Sequence, residues 1–423
     1  MINFYFIFPL FLALLSKFIF IKKIYVIDFY FIGLFFFYGI YTIFFLIFNE
    51  YRDFAYNSFA MVFLYLIYIY CLLVLIIKIL SHTLNIKLMH LNKVYSLVSK
   101  SVQSKKNELN FLGVVLITTL ICVSFLSNFS WIKIIHQEFQ LEVSPFFMSL
   151  SKSLLMLFYS LVISTFFIKK KSYSYYIFFI FLLLLAINLG RREFLFFLII
   201  NLFLITFEYK NTIFEFVKFH FKKMFFLLLI FVIVLFGYAE VRYKVRSFYN
   251  PDSMQLNSFD STTKRNANFV FDAYIHKYFD ISNNYANGEY LSSSISGSIP
   301  KLLNSDKKTF HQENYVRDHF KLNYIGRSHK DYPLSIHMGA FIDFGFVVGG
   351  IITCLLLLLC CIPLFFRFDY FYRIYSYISI SNYFFHTEKL YGNFISFYII
   401  FIMGFAIYFF SKLIYSVFNE TKR

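Results

Sequence analysis

The sequence predicts an all-α polytopic membrane protein with about eleven (10–12) transmembrane helices and one large extracytoplasmic loop. Three observations predict it. Hydrophobic residues make up 59% of the 423 and charged residues only 15%, with a mean hydropathy of +0.65; a soluble domain keeps about 25% charged residues to cover itself in water. The apolar residues fall in long runs, such as Phe111–Phe125 and Phe394–Phe410, and ~20 mostly apolar residues in a helix cross the ~30 Å hydrocarbon core. Basic residues alternate between dense and sparse from one connection to the next, as expected when each apolar run crosses a bilayer.

Taken in order, the runs place spans near 3–21, 24–48, 58–80, 111–131, 146–168, 173–189, 194–209, 224–239, 338–366, 371–385 and 394–415. The first lacks the charged start of a secretory signal, since its first basic residue is Lys17, and further spans follow at once; it reads as a retained helix. The tenth is the weakest, diluted by Ser376, Ser379, Ser381 and Asn382. All five cysteines lie within apolar runs, which leaves no thiol for a disulfide framework or a cysteine–zinc site in the polar loop. The 65 Phe and 35 Tyr beside one Trp follow AT-rich codon usage, so single aromatics carry little functional weight.

Orientation follows from the Lys/Arg bias. One set of connections holds Lys22–Lys23, Lys87 to Lys106, Lys169–Lys171, Lys210 to Lys223, Arg367, Arg373 and the tail Lys422–Arg423; the alternate set holds Arg52, Lys133, Arg191–Arg192 and Lys389. The first set is cytoplasmic. The chain then divides into eight helices over residues 1–239, an extracytoplasmic loop over 240–332, and three helices with a cytoplasmic tail over 333–423. At ~90 residues the loop far exceeds an ordinary connection, so it is expected to fold and to carry function. Its stretch Asn268–Phe279 has a mixed pattern that suits amphipathic helices lying on the membrane.

Arginine is concentrated on the outer side, at Arg52, Arg191, Arg192, Arg242, Arg246, Arg265, Arg317 and Arg327, whereas cytoplasmic connections use Lys almost throughout. The planar guanidinium fork matches phosphate and carboxylate oxygens in a way Lys cannot. The pattern points to an anionic ligand; ordinary loop solubility and lipid headgroup contact are the plain alternative. Gly190-Arg191-Arg192-Glu193 sharpens the case as a tight outer turn between two short helices, with no other charge from Tyr173 to Phe207. Arg near the bilayer centre costs about 2.5–3.5 kcal/mol, so this turn belongs at the interface or in a wet cavity. Of the histidines in or beside the loop, His276, His311 and His319 read as solvated. His329 and His337 precede the ninth span closely, near Arg327, where an imidazole can take a proton from a sugar hydroxyl. There is no Asp-x-Asp metal motif, Walker loop or dinucleotide fingerprint, so an activated substrate would arrive in lipid-linked form.

Several segments resemble one family. Ser298-Ile-Pro300-Lys301-Leu302-Leu303, followed by Lys307, is similar to the Ile-Pro-Arg/Lys segment late in the outer loop of Wzy-type polymerases. These are the O-antigen and capsule oligosaccharide repeat-unit polymerases of bacteria. Ser335 through Asp343-Phe344-Gly345-Phe346-Val347-Val348-Gly349 resembles the family's entry into the following helix, and Gly190-Arg191-Arg192 its Gly-Ser-Arg turn, with Arg192 on the key arginine. Where many relatives carry a Glu shortly before the Phe-Gly, this chain reads Gly339-Ala340; His337 or Asp343 would substitute, unless that Glu is not essential.

The resemblance implies a multi-pass enzyme of the bacterial inner membrane. It would transfer a growing glycan from undecaprenyl diphosphate onto another lipid-linked repeat unit. Arg191, Arg192, Arg242, Arg246, Arg317 and Arg327 would bind the diphosphate; Arg192, His329, His337 and Asp343 would be the catalytic candidates. No metal or other cofactor is implied. The expected partners are the lipid-linked oligosaccharide, membrane lipid and a polysaccharide chain-length regulator, with no nucleic acid. Two alternatives stand beside this reading. An O-antigen ligase shares the layout and donor. A lipid-linked oligosaccharide flippase would show internal symmetry and charges in several spans, whereas here the spans carry little beyond Lys17, Asp28, Lys78, Lys152 and Asp343.

Overall fold

The computed structural model describes residues 25–34, 56–83, 106–133, 143–166, 173–190, 193–194, 196–200, 272, 275–276, 285–298, 335–366, 368–386 and 390–420. Helices dominate them: α1 (Asp28–Leu34), α2 (Tyr56–Thr83), α3 (Lys106–Leu126), α4 (Pro145–Phe166), α5 (Tyr173–Leu189), α6 (Glu289–Ser298), α7 (Ile336–Cys360), α8 (Tyr370–Phe385) and α9 (Leu390–Glu420), with a 3₁₀ turn over Ile362–Phe365. Stretches within α2, α3, α4, α7 and α9 are long and apolar enough to cross a membrane. The chain is therefore an all-α membrane protein. Of the remaining expected spans, those near 173–189 and 371–385 are the shorter helices α5 and α8, and the others fall wholly or largely outside the described residues.

Lipid tails are as apolar as leucine, so helices in a bilayer associate through close packing and small residues. The centre of the bundle follows that rule. α4 packs on α3, α5, α8 and α9, and α8 also packs on α1. Ser151, Ser160 and Ser164 of α4 are buried and return their hydroxyls to the carbonyls of Phe147, Met156 and Ser160. Ser153 donates across to the Ile400 carbonyl of α9 at 2.8 Å. Gly33 of α1 lies so close to the Phe385 carbonyl of α8 that a Cβ would collide with backbone.

The weak tenth span is a full helix, α8, and its polarity has a physical reason. Ser376, Ser379, Ser381 and Asn382 are all buried, so the helix is sheathed by protein rather than lipid and has no need of an apolar surface. Asp369 caps it: Oδ1 accepts the Tyr372 N–H at 2.9 Å, while Oδ2 takes Lys412 Nζ at 2.6 Å and the Tyr408 hydroxyl. Burial alone would raise the Asp369 pKa, but these donors hold it below the usual carboxylate range.

The ninth span departs from the expected continuous helix near 338–366. α7 is broken at Gly345, whose φ of 73° and ψ of −167° are non-helical. A Cβ on Gly349 would sit 2.5 Å from the Ala340 carbonyl oxygen. An unbroken helix would hold those residues ~13.5 Å apart along its axis. The chain doubles back, and the two halves of α7 pack on one another. Its length of 25 residues is thus not the length of one straight span.

Candidate functional site

The break in α7 frees backbone and side-chain groups, and part of the polar segment uses them. Ile342 and Asp343 offer carbonyls to the N–H groups of Ala286 and Asn287 at 3.0 and 2.9 Å. The Asp343 carboxylate accepts from the Tyr290 and Leu291 N–H groups at 3.0 and 2.8 Å. Those donors belong to the first turn of α6, whose N–H groups lack intrahelical acceptors and whose dipole favours a negative charge. Tyr285 lies over Gly345, and Phe344 over Gly288. Asp343 is buried and engaged by these donors; it clamps α6 to α7. Asp343→Ala should lower thermal stability by ~2–4 kcal/mol, because each orphaned buried donor costs ~1–3. Protease cleavage within residues 285–298 of the purified protein should rise with it, and unchanged cleavage would refute the clamp.

A second polar cluster forms where α7 begins. Ser335 is the N-cap, its Oγ accepting the Met338 N–H. His337 is fully buried: Nδ1 lies 2.7 Å from the Tyr30 hydroxyl of α1, and Nε2 lies 3.4 Å from Asp272 Oδ2 and 3.3 Å from Ser335 Oγ. The tautomer that suits these partners carries its proton on Nε2, facing Ser335 Oγ with the Asp272 carboxylate beside it, and accepts from Tyr30 on Nδ1. His276 lies against Phe341, its ring tilted by 38° with centroids 3.8 Å apart, and stands edge-on to Tyr65. Burial, with His337 adding to it, pushes the His276 pKa down to about 3, so the ring is neutral. Asp272, Ile275 and His276 are helical, as the pattern of Asn268–Phe279 suggested, but they are buried against protein. The other residues of Asn268–Phe279 lie outside the described residues.

A third cluster surrounds the Gly190 turn. α5 spans 17 residues, a rise of ~25 Å, short of the ~30 Å core. Gly190 ends it with φ of 129°, a backbone that favours glycine. Just beyond the arginines, Glu193 is pinned at both ends. Its carbonyl accepts the Tyr159 hydroxyl of α4 at 2.8 Å, and its Oε2 lies 2.6 Å from Nε2 of His386 at the end of α8. His386 Nε2 is also 3.1 Å from Asn382 Oδ1, so the carboxylate and the amide oxygen converge on one ring nitrogen. Burial raises the Glu193 pKa, yet His386, Lys152 and Asn382 bring it below its ordinary value. Tyr30 joins the clusters: it binds His337 and meets Phe384 edge-on at 6.4 Å.

Of the residues singled out from the sequence, His337 and Asp343 share the first half of α7 but serve different partners. Arg191, Arg192, Arg242, Arg246, Arg317, Arg327 and His329 lie outside the described residues. Asp272, Glu193 and His386 were not singled out. Glu193 is the one acid in the Tyr173–Phe207 stretch, and Asp272 with His276 has the i, i+4 spacing of one helical face; those were the available signals. Among the described residues no group of His, Cys, Asp and Glu is arranged to hold a metal ion. Comparison with family models, with curated proteins and with solved structures finds no match for the chain.

Proposed function

We propose that this chain is a polymerase of lipid-linked oligosaccharide repeat units, a membrane glycosyltransferase of the bacterial inner membrane with residues 240–332 on the extracytoplasmic side. It transfers the growing glycan from undecaprenyl diphosphate onto another lipid-linked repeat unit in O-antigen or related surface polysaccharide synthesis. The observation that carries the reading is the joint at Asp343-Phe344-Gly345. One of the three segments that carry the family resemblance is where the described part of the polar region docks into the helices, through Asp343 with Tyr290 and Leu291. A loop held against the bundle can close a cavity over a lipid headgroup, whereas a loose linker cannot.

In this reading Arg192 neutralises the charge that develops on the departing diphosphate, as fixed donors in a dry site do. Arg191, Arg242, Arg246, Arg317 and Arg327 complete the grip on its oxygens. His329 stays a candidate proton acceptor. His337 and Asp343, both buried and engaged, hold the polar segment in register. The chemistry needs no metal or cofactor, and a chain-length regulator is the natural protein partner.

Removing the gene tests the reading. A host making lipopolysaccharide should then carry a single repeat unit in place of a ladder. Complete absence of repeat units would point to a ligase instead, and an unaltered ladder would end the polymerase reading.

A further inference from the structure

We propose that His386 takes the proton from the attacking sugar hydroxyl, with Glu193 and Asn382 as its positioning residues. This rests on the polymerase reading and adds a proton acceptor that the sequence motifs did not contain. Among the described groups near the α7 joint and the Gly190 turn, the other acceptors are occupied or inaccessible. Asp343 binds the first turn of α6. His337 is wedged between Tyr30 and Asp272 with no exposed surface, and His276 is buried against Phe341. His386 keeps 18% of its side-chain surface open, whereas Asp343, His337 and His276 are buried.

The geometry suits the task. Nε2 faces Asn382 Oδ1 at 3.1 Å and Glu193 Oε2 at 2.6 Å, which fixes the proton on that nitrogen and leaves Nδ1 to accept another. The charged groups facing the ring are Glu193 from the turn and, behind it, Lys152 of α4. A carboxylate against the imidazole stabilises the imidazolium once the proton arrives, and a second group that orients the base is the usual arrangement for an activated nucleophile. Glu193 also follows Arg191 and Arg192 directly in the chain, so the positioning carboxylate, though not the base itself, adjoins the proposed diphosphate grip in sequence.

The step balances without a co-reactant. The acceptor hydroxyl gives its proton to Nδ1 of His386, and its oxygen forms the new glycosidic bond to the anomeric carbon of the donor glycan. The bond from that carbon to the diphosphate oxygen breaks, and its electron pair leaves with the lipid diphosphate, whose added negative charge the arginines meet. The imidazolium then releases its proton to solvent or to the product.

The test separates binding from turnover in the full-length protein. Wild type, H386N, H386Q, E193Q, E193D and R192A would be purified into nanodiscs and titrated with undecaprenyl diphosphate. The same substitutions would be placed on the chromosome and elongation followed as polysaccharide chain length over time. General-base loss costs roughly 100-fold or more in rate. H386N and H386Q should therefore bind the diphosphate within about twofold of wild type and elongate ~100-fold more slowly. E193Q should resemble them, and E193D should recover part of the rate. Near-normal elongation in both His386 variants would overturn the assignment while leaving the polymerase reading intact. Parallel loss of binding and elongation would also overturn it, showing a structural role only. If the wild type does not bind the diphosphate and gene removal leaves chain length unchanged, the reading beneath it fails, and the pair loses its reaction.

Discussion

Arg192→Ala is expected to abolish long polysaccharide while leaving the amount of protein in the membrane unchanged. In the proposed reaction the charge that builds on the leaving diphosphate must be met inside a site poor in water, where a fixed donor is worth far more than in solvent. Loss of one such donor typically lowers turnover by ~10²–10³, enough to leave only single repeat units on a gel. Arg192→Lys should also be impaired, because an ammonium is a point charge and cannot make the paired contacts of a guanidinium. The measurement is chain length by gel beside protein level by immunoblot. Near-normal chains in the alanine variant would remove Arg192 from the reaction, and a fully active lysine variant would reduce its requirement to charge alone.

Gly345→Ala is expected to have the largest effect on the fold, a loss of ~2–6 kcal/mol. Gly345 has φ of 73° and ψ of −167°, a region open essentially to glycine, where other residues pay ~1–3 kcal/mol. An added Cβ would also lie 2.9 Å from Cζ of the Tyr285 ring, and overpacking of that kind costs a further ~1–3 kcal/mol. The variant should give much less folded protein by size-exclusion chromatography and a lower thermal midpoint. Adding Tyr285→Ala relieves the collision but not the backbone strain, so the double variant should recover only in part. Wild-type stability in Gly345→Ala would show that α7 can do without its break.

These expectations also mark how far the sequence could be read. Membrane residence was legible because it is a property of composition: too few charged residues to face water, and apolar runs long enough to span lipid. The helix Tyr173–Leu189 and its glycine stop were legible for the same local reasons. α8 was harder, since hydropathy measures suitability for lipid, and this helix faces protein on nearly every side. The reversal at Gly345 was hidden inside an apolar run, because hydropathy records the environment of a residue and not the direction of its backbone. Asp343 could be picked out as unusual, but its partners Tyr290 and Leu291 could not, because nothing local announces which helix N-terminus a distant carboxylate will cap.

What the sequence by itself determined is the solvent of this protein and the placing of the described long helices along the chain, both of which follow from local transfer energies and hydrogen-bond closure within one segment. Only the tertiary structure decided that His337 is enclosed by Tyr30 and Asp272, that Asp343 serves as a clamp, and that Glu193 meets His386. Those outcomes depend on which helices lie side by side. In lipid that choice is made by close packing and by paired polar groups from distant parts of the chain, and no window of neighbouring residues contains it.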